Sequence, residues 1–317
     1  MFRASVLTAC LLATAASAQI VQPLSSTLRL PALSDFAAKG STLTAKDGTT
    51  VTLGTRGSAP GTVYVESAAV TVPSGSTTRA GELLSALTGE DLTAPVVQYL
   101  AQPGVQAQLM RGVTANADPF DVAFSLSGKA LVMKVTLQQV SGFAPVPAGR
   151  VLGDPAAPYV IRMYSDFQCP YCQQAELEAV PDVVKMLGRD VRFEFHHLPL
   201  VSLHPNARAA AEASVCAERQ GKFFAFKDAL FRRNDWQRTA NPSAVFQQVA
   251  QASGVNVATY RSCVADRLGQ AAVDDGIAEA TRLGVNGTPT VFIGAYRVPN
   301  PYDASSYRAL LDFVRAK

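Results

Sequence analysis

Residues 164–172 read Tyr164-Ser165-Asp166-Phe167-Gln168-Cys169-Pro170-Tyr171-Cys172, and the reading of the fold starts from what flanks them. Upstream, Pro158–Phe167 is an apolar run with the texture of a buried strand. Downstream, Gln173–Gly188 has a helical pattern that Pro181 should kink. The two cysteines therefore mark the point where a strand gives way to a helix. Unpaired N–H groups and the positive end of the helix dipole stabilise a thiolate there, lowering a cysteine pKa from about 8.5 toward roughly 3.5–7.5. Pro170 suits the first helical turn, where no N–H is needed. Cys169 is the expected exchanging sulfur, ionised and reachable, and Cys172, one turn further in, the buried resolving one. A C-x-x-C pair is also half of a zinc site or an inert bridge. A tetrahedral site needs two more ligands at knuckle spacing; Cys216 and Cys263 stand alone, and a cluster completed by two of His196, His197 and His204 is conceivable, but export to a thiol-oxidising compartment would work against it. No metal and no cofactor are expected.

Working outward, Val191–Leu198 alternates as a second strand, with Phe193 and Phe195 against Glu194. Helical patterns fill His204–Arg233, Ser243–Ser253, Val257–Leu268 and Asp274–Leu283. Pro289–Ile293 reads as a third strand and Tyr307–Ala316 as a closing helix. Strands separated by helices predict an α/β unit whose central sheet is covered on both faces.

Four segments in matching order, Tyr164–Cys172, His204-Pro205-Asn206-Ala207, Cys216–Phe224 and Gly284–Ile293, resemble the DsbA-type thiol:disulfide oxidoreductases. The likeness covers roughly Val151–Lys317. It implies a thioredoxin-like fold with a helical insertion, falling here on His204–Leu268, and an enzyme that exchanges disulfides with proteins. It also implies that Thr288-Pro289 forms the second half of the site, the proline cis and the preceding residue offering backbone hydrogen bonds to a bound peptide. The alternative is an ordinary trans proline opening a strand. Gly287 would allow close approach there. Tyr171 and Pro170, between the thiols, would shape the peptide groove. Some relatives carry a bridge in the inserted block, which implies a structural disulfide between Cys216 and Cys263. By loop entropy such a bridge would be worth about 4 kcal/mol; the alternatives are two separate buried thiols or a second redox pair. One position departs from the pattern. Many thioredoxin-fold enzymes bury an acid six residues before the leading cysteine, where this chain has Met163. Asp166 and Glu194 are the candidates for a replacement proton relay, although each reads more simply as a surface or turn residue. The three histidines read as structural hydrogen bonders, and Trp236, Phe223, Phe224 and Phe226 as core.

Residues 19–145 have a different texture, rich in Ser, Thr, Ala and Gly, without cysteine and with eight basic and eight acidic residues. Short alternating runs at Thr50–Leu53, Thr62–Val65 and Ala68–Val72 and a hairpin over Asp121–Val140, turning at Ser127-Gly128-Lys129, predict strands with one wet face. Thr78–Leu87 and Pro95–Met110 look helical, Thr77 or Thr78 being the candidate cap. The expectation is a small α+β domain over 19–145, a packing or dimerising module, followed by the thioredoxin-like domain over 146–317. Ser141–Gly149, with two prolines and two glycines, reads as a linker.

Met1–Ala18 has one arginine, a short apolar run and Ala16-Ser17-Ala18 at its end, the pattern of a cleaved export signal. The run falls short of the ~20 residues that span a bilayer. Once Cys10 leaves with the signal, four cysteines remain, an even number in an oxidising compartment, with three pairings open. The 28 basic and 25 acidic residues of the 317 give a net charge of +3, too weak a field for a dedicated nucleic-acid binder. The expected partners are reduced or misoxidised secretory proteins and a membrane redox partner for reoxidation. The leading expectation is a dithiol oxidase. Alternatives are an isomerase or reductase dimerised through the N-terminal domain, and a scaffold protein with an inert bridge.

Overall fold

The structure, a computed structural model, describes residues 20–57 and 62–316; the expected export signal lies outside them. The chain divides into two compact units, one of residues up to Gln139 together with Ala309–Lys317, the other Val140–Arg308. By contacts the division falls at 139/140, and the last residues group with the first unit.

In the first unit, strands β1 (Phe36–Lys39), β2 (Thr42–Ala45), β3 (Thr50–Arg56), β4 (Tyr64–Val72), β5 (Val113–Ala117), β6 (Phe120–Ser127) and β7 (Ala130–Leu137) form one antiparallel sheet in the order β1-β2-β3-β4-β7-β6-β5. Burial alternates along them: Val65, Ala68, Val70 and Val72 of β4 and Leu131, Met133, Val135 and Leu137 of β7 are buried, while Lys134 is exposed. Helices α1 (Leu24–Thr27), α2 (Thr77–Thr88), α3 (Thr93–Ala101) and α4 (Pro103–Gln106) complete the unit. The stripe Leu83, Leu84 and Leu87 of α2 is buried. Its cap is Ser76, whose Oγ accepts from the Arg79 N–H at 3.2 Å, not Thr77 or Thr78. Gly128 turns the β6–β7 hairpin at φ +61°, a conformation that suits glycine.

In the second unit the sheet runs β12 (Tyr296–Arg297), β11 (Thr290–Ile293), β9 (Tyr159–Ser165), β10 (Val191–His197), β8 (Val151–Leu152). β9 and β10 are parallel, in the register Val191↔Tyr159 through His197↔Ser165, and β11 runs antiparallel to β9. β9 and β10 are buried almost throughout, as parallel strands covered on both faces are. After β9 come α5 (Pro170–Glu178) and α6 (Val180–Lys185), broken at Ala179, two residues before Pro181. The block between β10 and β11 holds α7 (Ala207–Glu218), α8 (Phe223–Phe231), α9 (Ser243–Ala252), α10 (Val257–Ala265) and α11 (Gln270–Arg282); α12 (Ala304–Arg315) closes the chain. This is the thioredoxin-like fold with a helical insertion. Trp236, Phe223 and Phe226 are fully buried, whereas Phe224 is only half-buried.

The stretch expected to be a free linker is packed down on this unit. The Val140 N–H donates to the Ala295 carbonyl at 2.8 Å, and Ala144 N–H to Glu279 Oε1 at 2.6 Å. Phe143 lies under the Arg162 guanidinium, 4.5 Å from ring centroid to charge. An aromatic residue and two satisfied amides outweigh the flexibility that proline and glycine imply.

Candidate active site

Parallel pairing brings the C-terminal ends of β9 and β10 to one edge of the sheet, and the site is built on the loops that leave them. The Leu198 N–H donates to the Ser165 carbonyl at 3.0 Å, locking the two exits together. Between β9 and α5 the chain turns on Asp166. Its carbonyl accepts from the Cys169 N–H at 3.2 Å, and its carboxylate accepts from Gln168 N–H at 2.7 Å and Leu200 N–H at 2.8 Å. His204 Nδ1 lies 2.7 Å from the same carboxylate. Gln168 ties the turn to the insertion: its amide N–H donates to the Gln237 carbonyl at 2.6 Å and its oxygen accepts from Asn206 N–H at 2.7 Å. The turn that aims Cys169 is therefore fixed from both sides.

Cys169 is the N-cap residue of α5, with Pro170 exposed in the first turn. Cys169 and Cys172 are unbonded thiols. Cys169 Sγ lies 3.5 Å from the Thr288 carbonyl oxygen, and the Thr288–Pro289 peptide is cis. The site thus joins residues more than a hundred positions apart. The hydrogen bond from the Cys172 thiol outweighs burial and, with the N–H groups of Cys172 and Tyr171 and with Thr288, holds Cys169 down at about 6. Cys172 receives the Asp166 N–H at 3.4 Å. Burial, with the neighbouring Cys169 sulfur, pushes its pKa well above the ordinary thiol value. Two thiols three residues apart are thus split into an ionised one and a neutral one. Cys169 is less open than its expected role implies, only 3% exposed, because the helix tip faces the 287–289 turn and not solvent. Tyr171 beside it is well exposed, its ring tilted against that of Tyr302 at 6.3 Å.

Cys216 and Cys263 form a disulfide with Cα atoms 5.7 Å apart, joining α7 to α10. The relay candidates separate. Asp166 is a turn residue but a buried one, held by three donors as above. Glu194 is not at the surface: it is buried and faces Arg162, its register partner on β9, at 3.3 Å and Arg192 of its own strand at 2.9 Å. Burial works against its charge, yet His196, Arg192 and Arg162 hold its pKa below the ordinary value. His196 pairs with Glu279 at 2.9 Å. His197 is a correction, because neither ring nitrogen has a hydrogen-bond partner among the described residues. It sits among Phe167, Phe195 and Phe223, where burial drives its pKa well below the ordinary imidazole value.

Sequence reasoning missed the ion pair of Glu176 with Lys227, both buried, one turn beyond Cys172. A signal existed: Glu176 stands four residues after Cys172, on the same buried face of α5 as Ala175. The charge of Glu176 holds Lys227 above its ordinary range in spite of burial.

With this geometry in view, a family model described as thioredoxin matches residues 146–313, and the chain belongs to that family. Among curated proteins it is 35% identical over 161 residues to the Na(+)/H(+) antiporter NhaA 3 of Salinispora tropica, an alignment covering 50% of this chain and 24% of the antiporter. The chain spans about a quarter of the length of the curated relatives it matches. Among solved structures it is similar to oxidised BdbD from Bacillus subtilis, with 21% identity and a TM-score of 0.48 over 55% of this chain and 97% of that one. It is also similar to alpha-DsbA1 of Wolbachia pipientis, with 21% identity and a TM-score of 0.46 over 54% and 94%. No helix among the described residues is long and apolar enough to cross a membrane.

Proposed function

We propose that the chain is an exported thiol:disulfide oxidoreductase that donates a Cys169–Cys172 disulfide to reduced secretory proteins. The observation carrying this reading is the geometry: Cys169 at the tip of α5, with Cys172 one turn in and the carbonyl of the cis Thr288–Pro289 peptide 3.5 Å away, an arrangement that holds Cys169 down at about 6 while burial raises Cys172. In the oxidised form a client thiolate attacks Cys169 Sγ, forming a mixed disulfide and breaking the Cys169–Cys172 bond. Cys172 takes the electron pair and, in its buried site, a proton. A second client thiolate then attacks the client sulfur of the mixed disulfide, and Cys169 leaves as a thiolate that its surroundings stabilise. The client gains a disulfide and the enzyme two electrons, which a membrane-bound redox partner removes. Thr288 and Pro289, with Tyr171 and Pro170, border the client strand, which displaces the Thr288 contact from Cys169. The Cys216–Cys263 bridge holds the insertion and takes no part in exchange.

The low exposure of Cys169 is the observation that favours an inert bridge instead, and the tests separate the two. Equilibration with glutathione should place the couple near about −120 mV for an oxidase; a value well below about −200 mV makes it a reductase or isomerase. Cys172→Ser should accumulate mixed disulfides with reduced secretory proteins. No adduct, together with a Cys169 that resists alkylation after mild reduction, would leave only the inert bridge.

A further inference from the structure

A cleft of about 630 Å³ opens in the helical insertion, walled by Ala213, Phe246, Tyr260 and Val264, with the Cys216–Cys263 bridge at its base. It shares no residue with the Cys169–Pro289 site. Two features of its lining suit a ligand. The first is Tyr260, only 3% exposed, whose hydroxyl has no hydrogen-bond partner among the described residues although it lines a cavity. Its burial raises the phenol pKa far above the ordinary value, so it is present as an O–H donor. That hydroxyl is reached from the cleft and is free to donate to an occupant there.

The second feature is Arg267. Helices α9, α10 and α11 end alike, with a left-handed residue followed by an N–H that reaches back to the last turn: Val255 N–H to Ala250 carbonyl, Leu268 to Cys263 and Val285 to Ala280, at 3.1, 3.0 and 2.8 Å. After α9 and α11 the left-handed residue is glycine, Gly254 at φ +76° and Gly284 at φ +72°; after α10 it is Arg267 at φ +53°. An L side chain is strained there. Arg267 is exposed, lines the cleft and makes no ion pair or hydrogen bond through its side chain among the described residues. Arg261 also lines it, committing its Nε–H to Gln247 Oε1 at 2.8 Å. The acid lining the cleft, Glu212, is occupied by Arg208 at 2.8 Å. The lining therefore combines apolar walls, one hydroxyl donor without a protein partner among the described residues and two guanidinium groups.

We infer that this cleft is a ligand site for a small amphipathic carboxylate, its apolar chain against Ala213, Phe246 and Val264 and its head group on Tyr260 Oη, Arg267 and Arg261. The volume falls within the range of small-molecule pockets, mostly apolar with a few placed polar groups.

Titration calorimetry of the whole chain with decanoate tests this. Saturable one-to-one binding is expected, with decan-1-ol binding much more weakly. Tyr260→Phe, which removes one oxygen, should weaken decanoate binding about tenfold. Arg267→Gly should weaken it about two- to fivefold while raising Tm by about 2–4 °C through relief of the left-handed strain. A side chain that served only the helix end would change Tm and leave binding untouched, so this variant separates the two roles. Exchange at Cys169 should be unchanged in both variants. No saturable uptake, equal binding of decan-1-ol, or full affinity in both variants would each overturn the assignment.

Discussion

In the N-terminal unit, Arg56 and Glu66 pair at 3.3 Å on the strand surface, their side chains 29% and 42% exposed; in the C-terminal unit, Lys227 and Glu176 pair at 3% and 1%. The same contrast holds for the sheets. The antiparallel sheet puts Thr52, Lys134 and Ala123 on exposed positions and keeps Val51, Val70 and Met133 inside. The mixed sheet buries Glu194 and His196 beside its apolar residues. A sheet with one wet face can leave charge in water at little cost. A sheet covered on both faces can carry charge only by pairing it, and replacing such pairs by apolar residues is often neutral or stabilising. The enclosed unit is also the one whose parallel strands deliver two loop exits to a single edge, where the unequal thiols lie. Enclosure is thus what turns a backbone arrangement into a chemical site.

Five substitutions probe that contrast. Cys169→Ser should reduce client oxidation to the uncatalysed level, while Lys134→Ala on the wet face of the first unit leaves it unchanged; an assay with reduced ribonuclease distinguishes them. Glu176→Gln leaves the Lys227 ammonium buried with only Asp228, 2.9 Å away, as partner. It should cost about 3 kcal/mol in urea unfolding of the second unit. A cost below about 1 kcal/mol would mean the pair is no more enclosed in solution than a surface one. Leu83→Ala, in the core stripe of α2, should cost about 2–5 kcal/mol through the cavity it leaves. Arg56→Ala should cost at most about 1 kcal/mol, and less at high salt. If Arg56→Ala matched Glu176→Gln, the contrast between the units would fail.

Much of the second unit could be read from residues 164–172 and 284–293, because strand, helix tip and thiol spacing are local properties. The C-terminal boundary of α5 was legible too, since Pro181 announces it. The rest depended on contacts far apart in sequence. Asp166 looks like an ordinary turn residue until Leu200 and His204 fold onto it, and Glu194 finds Arg162 only across the sheet. His197 looked like a hydrogen bonder because imidazole normally is one; three phenyl rings took the places of its partners. In the first unit β1, β2 and β5 were missed. Alternation of Ala with Thr or Asn gives little hydrophobic contrast, so Val113–Ala117 carries almost no periodic signal. Phe143 shows the opposite failure, where proline and glycine promised a linker and one aromatic ring decided otherwise.

The acidity of Cys169 also fixes how stability responds to pH. Its folded pKa is depressed from the ordinary thiol range of about 8.5 to about 6. The stabilisation it gives the reduced protein is therefore complete above about pH 8.5 and drains away as the pH falls to 6. The most direct test follows thiolate ultraviolet absorbance of the reduced protein as pH is raised. One group should ionise near pH 6 in the wild type, persist in Cys172→Ala at a somewhat higher pH because the hydrogen bond from residue 172 is gone, and vanish in Cys169→Ser. A wild type in which no thiolate appears below about pH 8 would contradict the account.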